Sequence, residues 1–134
     1  MLKKTIKYED YNGVKREENF YFNLSKAELT EMEFGTEGGY ADMVEKIVKA
    51  MDQPAILRVF KDLILKSYGE KSADGKRFVK SPEISLAFSQ TEAYNELFME
   101  LMSDTDAAIK FFNGILPNVP DVDEEKIAVV SSEE

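Results

Sequence analysis

The residues best suited to chemistry in this chain are carboxylates and one cluster of cations. Glu9, Asp10, Glu17 and Glu18 bracket a turn, and a carboxylate pair can shuttle protons when a cleft encloses it. Lys66, Lys71, Lys76, Arg77 and Lys80 form the only basic stretch, which fits an anionic partner. Gly35-Thr36-Glu37-Gly38-Gly39 precedes a helix, where free amides can hold phosphate. Asp121, Asp123 and Glu125 have the opening spacing of a calcium loop. Each reading meets an obstacle. The first four acids belong to a hairpin, which supplies no cleft. The glycine loop has no strand leading in and no P-loop lysine, and Glu37 sits within it. The calcium spacing fails at its sixth position, Lys126, and at its twelfth, Ser132. The chain has no His, Cys or Trp. It therefore lacks the common proton shuttle near neutral pH and the nitrogen and sulfur ligands of zinc and copper. The expectation is a binding protein, not an enzyme, without cofactor or metal.

The elements that position these residues follow from periodicity. Leu2 to Asp10 alternates apolar and polar residues, and Val14 to Phe22 returns after Asn12-Gly13, a pair tolerant of positive φ. Ser25-Lys26-Ala27-Glu28 is a capping box, opening a helix that should stop at Gly35. Tyr40, Met43, Val44, Ile47, Val48 and Met51 predict a second helix. Asp52 and Pro54 start a third, with Ile56, Leu57, Phe60, Leu63 and Ile64 as its stripe and Gly69 as its end. Residues 69–81 read as a polar connector whose Asp74-Gly75 pair marks a tight turn or a tiny hairpin. Ser81-Pro82-Glu83 opens a short fourth helix, Thr91 caps a fifth and Ser103 a sixth, which Gly114 and Pro117 terminate. The expected fold is α+β and mostly α-helical, with about six helices, an N-terminal β-hairpin over residues 1–23 and helices over 25–117. These form one domain of 1–117, followed by an acidic, flexible tail of 118–134.

Charge and apolar surplus narrow the function. The 134 residues carry 26 acids and 17 bases, a net charge of −9. Asp121, Asp123, Glu124, Glu125, Glu133 and Glu134 face only Lys126, so the last stretch holds more than half of that charge. Such a field repels nucleic acid and anionic lipid. No apolar run approaches the roughly 20 residues of a membrane helix, and Met1-Leu2-Lys3-Lys4 leads straight into a strand, so neither signal peptide nor membrane partner is expected. Met99, Met102, Phe111, Phe112 and Leu116 spread around their helices. They are either core or a surface for self-association or a client. Lys71, Lys76, Arg77 and Lys80 are candidates for contact with the acids beyond Asp121, in the same chain or another copy.

Several segments resemble the tail assembly chaperones of long-tailed, siphovirus-like phages and prophages of Gram-positive bacteria. They are Asn12-Gly13-Val14 with Phe20 to Leu29, then Leu65 to Ser72, and most strongly Phe88-Ser89-Gln90-Thr91-Glu92-Ala93-Tyr94-Asn95-Glu96-Leu97-Phe98. The similarity covers roughly residues 3–117 and is one of whole segments rather than a catalytic signature. It implies a chaperone that coats the tape-measure protein, helps recruit tail tube subunits, acts in the cytoplasm of the bacterial host and is not expected in the mature virion. It also implies, in many such families, a longer frameshifted product. The rival expectations are a structural virion component, such as a tail or head-completion protein, and an acidic DNA-mimic inhibitor.

Overall fold

The turn after the first strand sets the register of everything built upon it. The computed structural model describes residues 1–117. Strand β1 (Leu2–Glu9) runs antiparallel to β2 (Lys15–Phe22), with Leu2 opposite Phe22 and Glu9 opposite Lys15. The connection is five residues long, Asp10 to Val14. Asp10 N–H donates to Val14 O, and Gly13 N–H to Asp10 O, both at 2.9 Å. The Asp10 carboxylate accepts from the amides of Asn12 and Val14 and binds Arg16 Nε at 2.6 Å. Those contacts, the Arg16 bond foremost, lower its pKa. Only Gly13 uses the positive φ that both turn residues tolerate (φ 80°). The aspartate supplies the organisation that a two-residue Asn-Gly turn would otherwise provide.

Six helices follow: α1 (Lys26–Phe34), α2 (Tyr40–Lys49), α3 (Gln53–Ser67), α4 (Pro82–Ser89), α5 (Glu92–Ser103) and α6 (Thr105–Ile115). Between α3 and α4 lie β3 (Tyr68–Lys71) and β4 (Phe78–Val79). The fold is α+β, but the sheet has four strands in the order β1-β2-β3-β4, two more than the expected hairpin. The turn at Asp74-Gly75 closes a small hairpin, as the sequence allowed, with Glu70 opposite Val79 and Lys71 opposite Phe78. Tyr21 pairs with Gly69 and Phe22 with Tyr68, so α1 to α3 form an excursion between adjacent strands. Gly69 does not stop α3; it lies within β3. A Cβ there would stand 2.7 Å from the Phe78 ring and 2.9 Å from Val79 O, so glycine permits the close approach of β4.

One face of the sheet is wet. Lys3, Thr5, Lys7, Glu9, Glu17 and Asn19 are exposed. The alternate residues face the helices, with α5 and α6 packed across β1. Phe22, fully buried, makes edge-on contacts with Phe88 and Phe111, at centroid distances of 5.8 and 5.1 Å. Tyr68 stacks on Phe88 at 4.1 Å. Leu97, Leu101, Ala108 and Ile115 complete the core from α5 and α6.

The helix starts follow the capping chemistry read from the sequence, with one exception. Ser25, Asp52, Ser81 and Thr91 each accept a hydrogen bond from the third amide of their helix. For α6 the cap is Asp104, whose carboxylate accepts from Ala107 N–H at 3.1 Å. Ser103 still belongs to α5 and donates to Met99 O. Gly114 lies inside α6, where a Cβ would come within 2.9 Å of Leu2. The helix ends at Ile115 because Leu116, preceding Pro117, is driven into extended backbone (ψ 150°).

Candidate functional site

Neither α1 nor α2 buries a single residue, although both carry apolar side chains. This pair forms an arm held to the body at a few points. At its base, Ser25 Oγ accepts from Glu28 N–H at 3.1 Å and Glu28 Oε1 accepts from Ser25 N–H at 2.8 Å. Lys80, arriving after β4, donates to Asn23 O at 2.6 Å and to both Glu28 oxygens at 2.9 and 2.7 Å. Partial burial pulls the Glu28 carboxyl upward in pKa, but Lys80 and the Ser25 amide outweigh it, and the net direction is down. Between the helices, Gly38 and Gly39 adopt φ of 81° and 94°. Glu33 reaches across to accept from Ala41 N–H at 3.1 Å, placing a negative charge at the α2 N-terminus. A Cβ at Gly39 would collide with that carboxylate. At the far side, Tyr40 OH lies 3.4 Å from Asp62 of α3. Burial, the Asp62 charge and this bond push the Tyr40 pKa up to about 12.

Below the arm lies an apolar groove of about 690 Å³. Leu24 and Ile115, both buried, form its floor. Leu24 N–H donates to Ile115 O at 2.8 Å, which locks the C-terminus of α6 beside the base of the arm. Leu29, Met32 and Phe34 of α1 make one wall, Tyr40, Ala41 and Val44 of α2 the second, and Leu63, Phe112 and Leu116 the third. The mouth is apolar as well: Phe34 is 85% exposed and Leu116 42%. Along α2 the apolar arc spans about 160°, from Met43 to Ala41, at 100° per residue. One half, Met43 and Ile47, is partly covered; the other, Val44 and Val48, runs from the groove into solvent, with Val48 exposed.

The structure divides the sequence candidates. Phe112 and Leu116 line the groove. Phe111 does not belong to a surface. It is core, 3% exposed, because α6 turns that side toward Phe22. Met99 and Met102 are exposed on α5, outside the groove. Of the cations, Lys80 is committed to Glu28 and Asn23 within the same chain. Lys71 sits over the Tyr21 ring at 4.4 Å. Lys76 and Arg77 belong to the β3–β4 turn, which is ordered by the Asp74 carboxylate and Ser72 hydroxyl through backbone amides. The expected contact with acids beyond Asp121, and the calcium-like spacing, lie outside the described residues. Sequence reasoning missed Leu29, Met32, Phe34, Tyr40, Val44 and Leu63 as a shared surface. The available signal was the α2 arc, wider than one packed neighbour can cover.

This lining offers shape and apolar contact rather than reactive groups. Among the described residues, no three His, Cys, Asp or Glu side chains gather as a metal-ligand set. Also among them, no helix is long and apolar enough to cross a membrane. A family model described as phage tail assembly chaperone matches residues 1–129. Neither the curated proteins nor the solved structures searched contain a match.

Proposed function

The chain belongs to the phage tail assembly chaperone family, and on that premise we propose that it acts by seating apolar helices of the tape-measure protein in the groove beneath α1 and α2. The observation that carries this reading is the exposed apolar mouth at Phe34 and Leu116, continuous with a groove of about 690 Å³. An amphipathic helix laid into an apolar groove is a recurrent mode of recognition, anchored by side chains at i, i+3, i+4 and i+7. Apolar surface of this kind is normally hidden in a soluble monomer. A hinge with two left-handed glycines and an arm without buried residues allow the groove to adapt to unlike segments of a long client. Weak contacts repeated along that client give occupancy through multivalency and still permit release when tail tube subunits arrive. The work is non-enzymatic and takes place in the host cytoplasm during assembly.

Copurification tests the reading. Tape-measure fragments should be retained by the full chain and lost with Phe34→Ser and Leu116→Ser. If no fragment is retained by the full chain, the role in coating the tape measure is wrong. Finished particles should also be depleted of the chain by mass spectrometry; stoichiometric amounts there would favour a structural virion component.

A further inference from the structure

The walls of the groove are apolar; the charged residue on its border is an acid, Glu33, on an arm that is acidic as a whole. Residues 26–52, which hold α1, α2 and their joints, contain seven acids and three lysines. On α2 both lysines are engaged by acids of the same helix: Lys46 with Asp42 and Lys49 with Glu45, each at 3.2 Å. Glu28 is taken by Lys80. That leaves Glu31, Glu33, Glu37 and Asp52 without a cationic partner among the described residues, against Lys26 alone; Asp52 is spent on capping α3. Glu33 lines the groove, and Glu31 lines the smaller cavity on the other side of α1. The opposite wall does not compensate. Lys110 of α6 lines a separate hollow with Glu100, Asp104 and Asp106. Arg58 and Lys61 sit about 140–160° around α3 from Leu63, which faces the groove. Lys66, beside Glu31, is paired with Asp62 at 3.5 Å.

From this border we infer that the groove selects an amphipathic helix of another chain whose apolar stripe is flanked by lysine or arginine. The inference deepens the chaperone reading and rests on it. The charge pattern also discriminates among occupants. This chain's own apolar run, Ile127-Ala128-Val129-Val130, lies ten residues beyond Pro117, a span of up to about 33 Å, which suffices to reach the groove. Its approach, however, would bring Asp121, Asp123, Glu124 and Glu125 against an acidic border. A basic helix gains from the field that repels this segment.

Three helical peptides of about 20 residues test the inference, identical in a leucine stripe and flanked by Lys, Gln or Glu. Their affinities for the full-length protein are read by fluorescence anisotropy. At about 0.05 M salt the Lys-flanked peptide should bind about tenfold tighter than the Glu-flanked one, the order expected of three solvent-exposed charge pairs. At about 0.5 M salt the gap should shrink to less than about threefold. The triple variant Glu31→Gln, Glu33→Gln, Glu37→Gln should close it at low salt. Val44→Asp should weaken all three peptides. Phe34→Ser, at a side chain too exposed to matter for folding, should do the same and guards against a misfolded Val44 variant.

Equal affinity for the Lys and Glu peptides overturns the inference, as does a gap that survives in the triple variant. If removing residues 118–134 tightens all three peptides, the chain's own segment is the occupant and the inference is wrong. A dimer that Val44→Asp dissociates would name a second copy instead. Tape-measure fragments that bind through the groove with no charge preference would sink this inference alone. A Lys-peptide preference without tape-measure binding would sink the chaperone reading alone.

Discussion

Replacing Lys80 by methionine keeps most of the stem and removes the ammonium that ties the arm to the sheet. Three hydrogen bonds go with it, one to Asn23 O at 2.6 Å and two to Glu28 at 2.9 and 2.7 Å. Hydrogen bonds to charged groups contribute about 1.5–3 kcal/mol each when buried. Here the lysine side chain is 20% exposed and the glutamate 35%, so water screens the pair and the lower end applies. We take about 2 kcal/mol for the whole cluster. In a chain of this size that lowers Tm by about 7 °C near neutral pH. The sign of the pH dependence follows from Glu28, whose folded pKa is depressed. A depressed carboxylate stabilises above its ordinary range, and that contribution is lost as pH falls through the folded value. The Tm gap between wild type and Lys80→Met should therefore be full near neutrality and narrow below about pH 4, leaving the Asn23 share. Glu28→Gln should reproduce most of the loss, since its amide oxygen still accepts from Ser25. Circular dichroism melts at neutral pH and about pH 3 decide the matter. A neutral gap under about 2 °C, or one unchanged on acidification, refutes the account of the arm's anchor.

Other substitutions probe the remaining steps of the argument. Gly69→Ala should cost about 1–3 kcal/mol in urea unfolding, because the new methyl meets the Phe78 ring and the Val79 carbonyl; a neutral result would mean that β4 shifts freely. Asp104→Ala should cost about 1 kcal/mol, whereas Ser103→Ala should stay within about 0.5 kcal/mol; the reverse order would return the α6 cap to Ser103. Phe22→Ala should cost about 3–5 kcal/mol, its ring being fully buried among Tyr68, Phe88 and Phe111. Phe34→Ser should leave the melting temperature within about 2 °C while reducing client retention; a large drop in stability would place Phe34 in the packed body.

How much of this was legible in the sequence depends on the range of the interaction. The capping box at Ser25 and Glu28, the caps at Asp52, Ser81 and Thr91, and the turn at Gly13 are contests between neighbours a few residues apart, and local sequence decides them. Period places most of the α3 stripe and Tyr94, Leu97 and Leu101 of α5 against the body, but it also assigned Leu57 and Met102, which are exposed. Phe111 and Phe112 show where period stops helping. Both are adjacent phenylalanines on one helix, yet one is sealed against Phe22 and the other opens onto the groove. Nothing local separates them, because the difference is set by which element arrives from elsewhere in the chain. Lys80 shows the same limit for charge. In sequence it belongs to a basic stretch; in space it belongs to Glu28, 52 residues away. The groove itself is tertiary throughout, made where Leu24, α1, α2, Leu63 and the end of α6 meet. Local hydrogen bonding and periodicity thus determined the helices and the first hairpin. Long-range packing alone decided which apolar side chains were left over for a partner, because burial belongs to pairs of surfaces and not to any single segment.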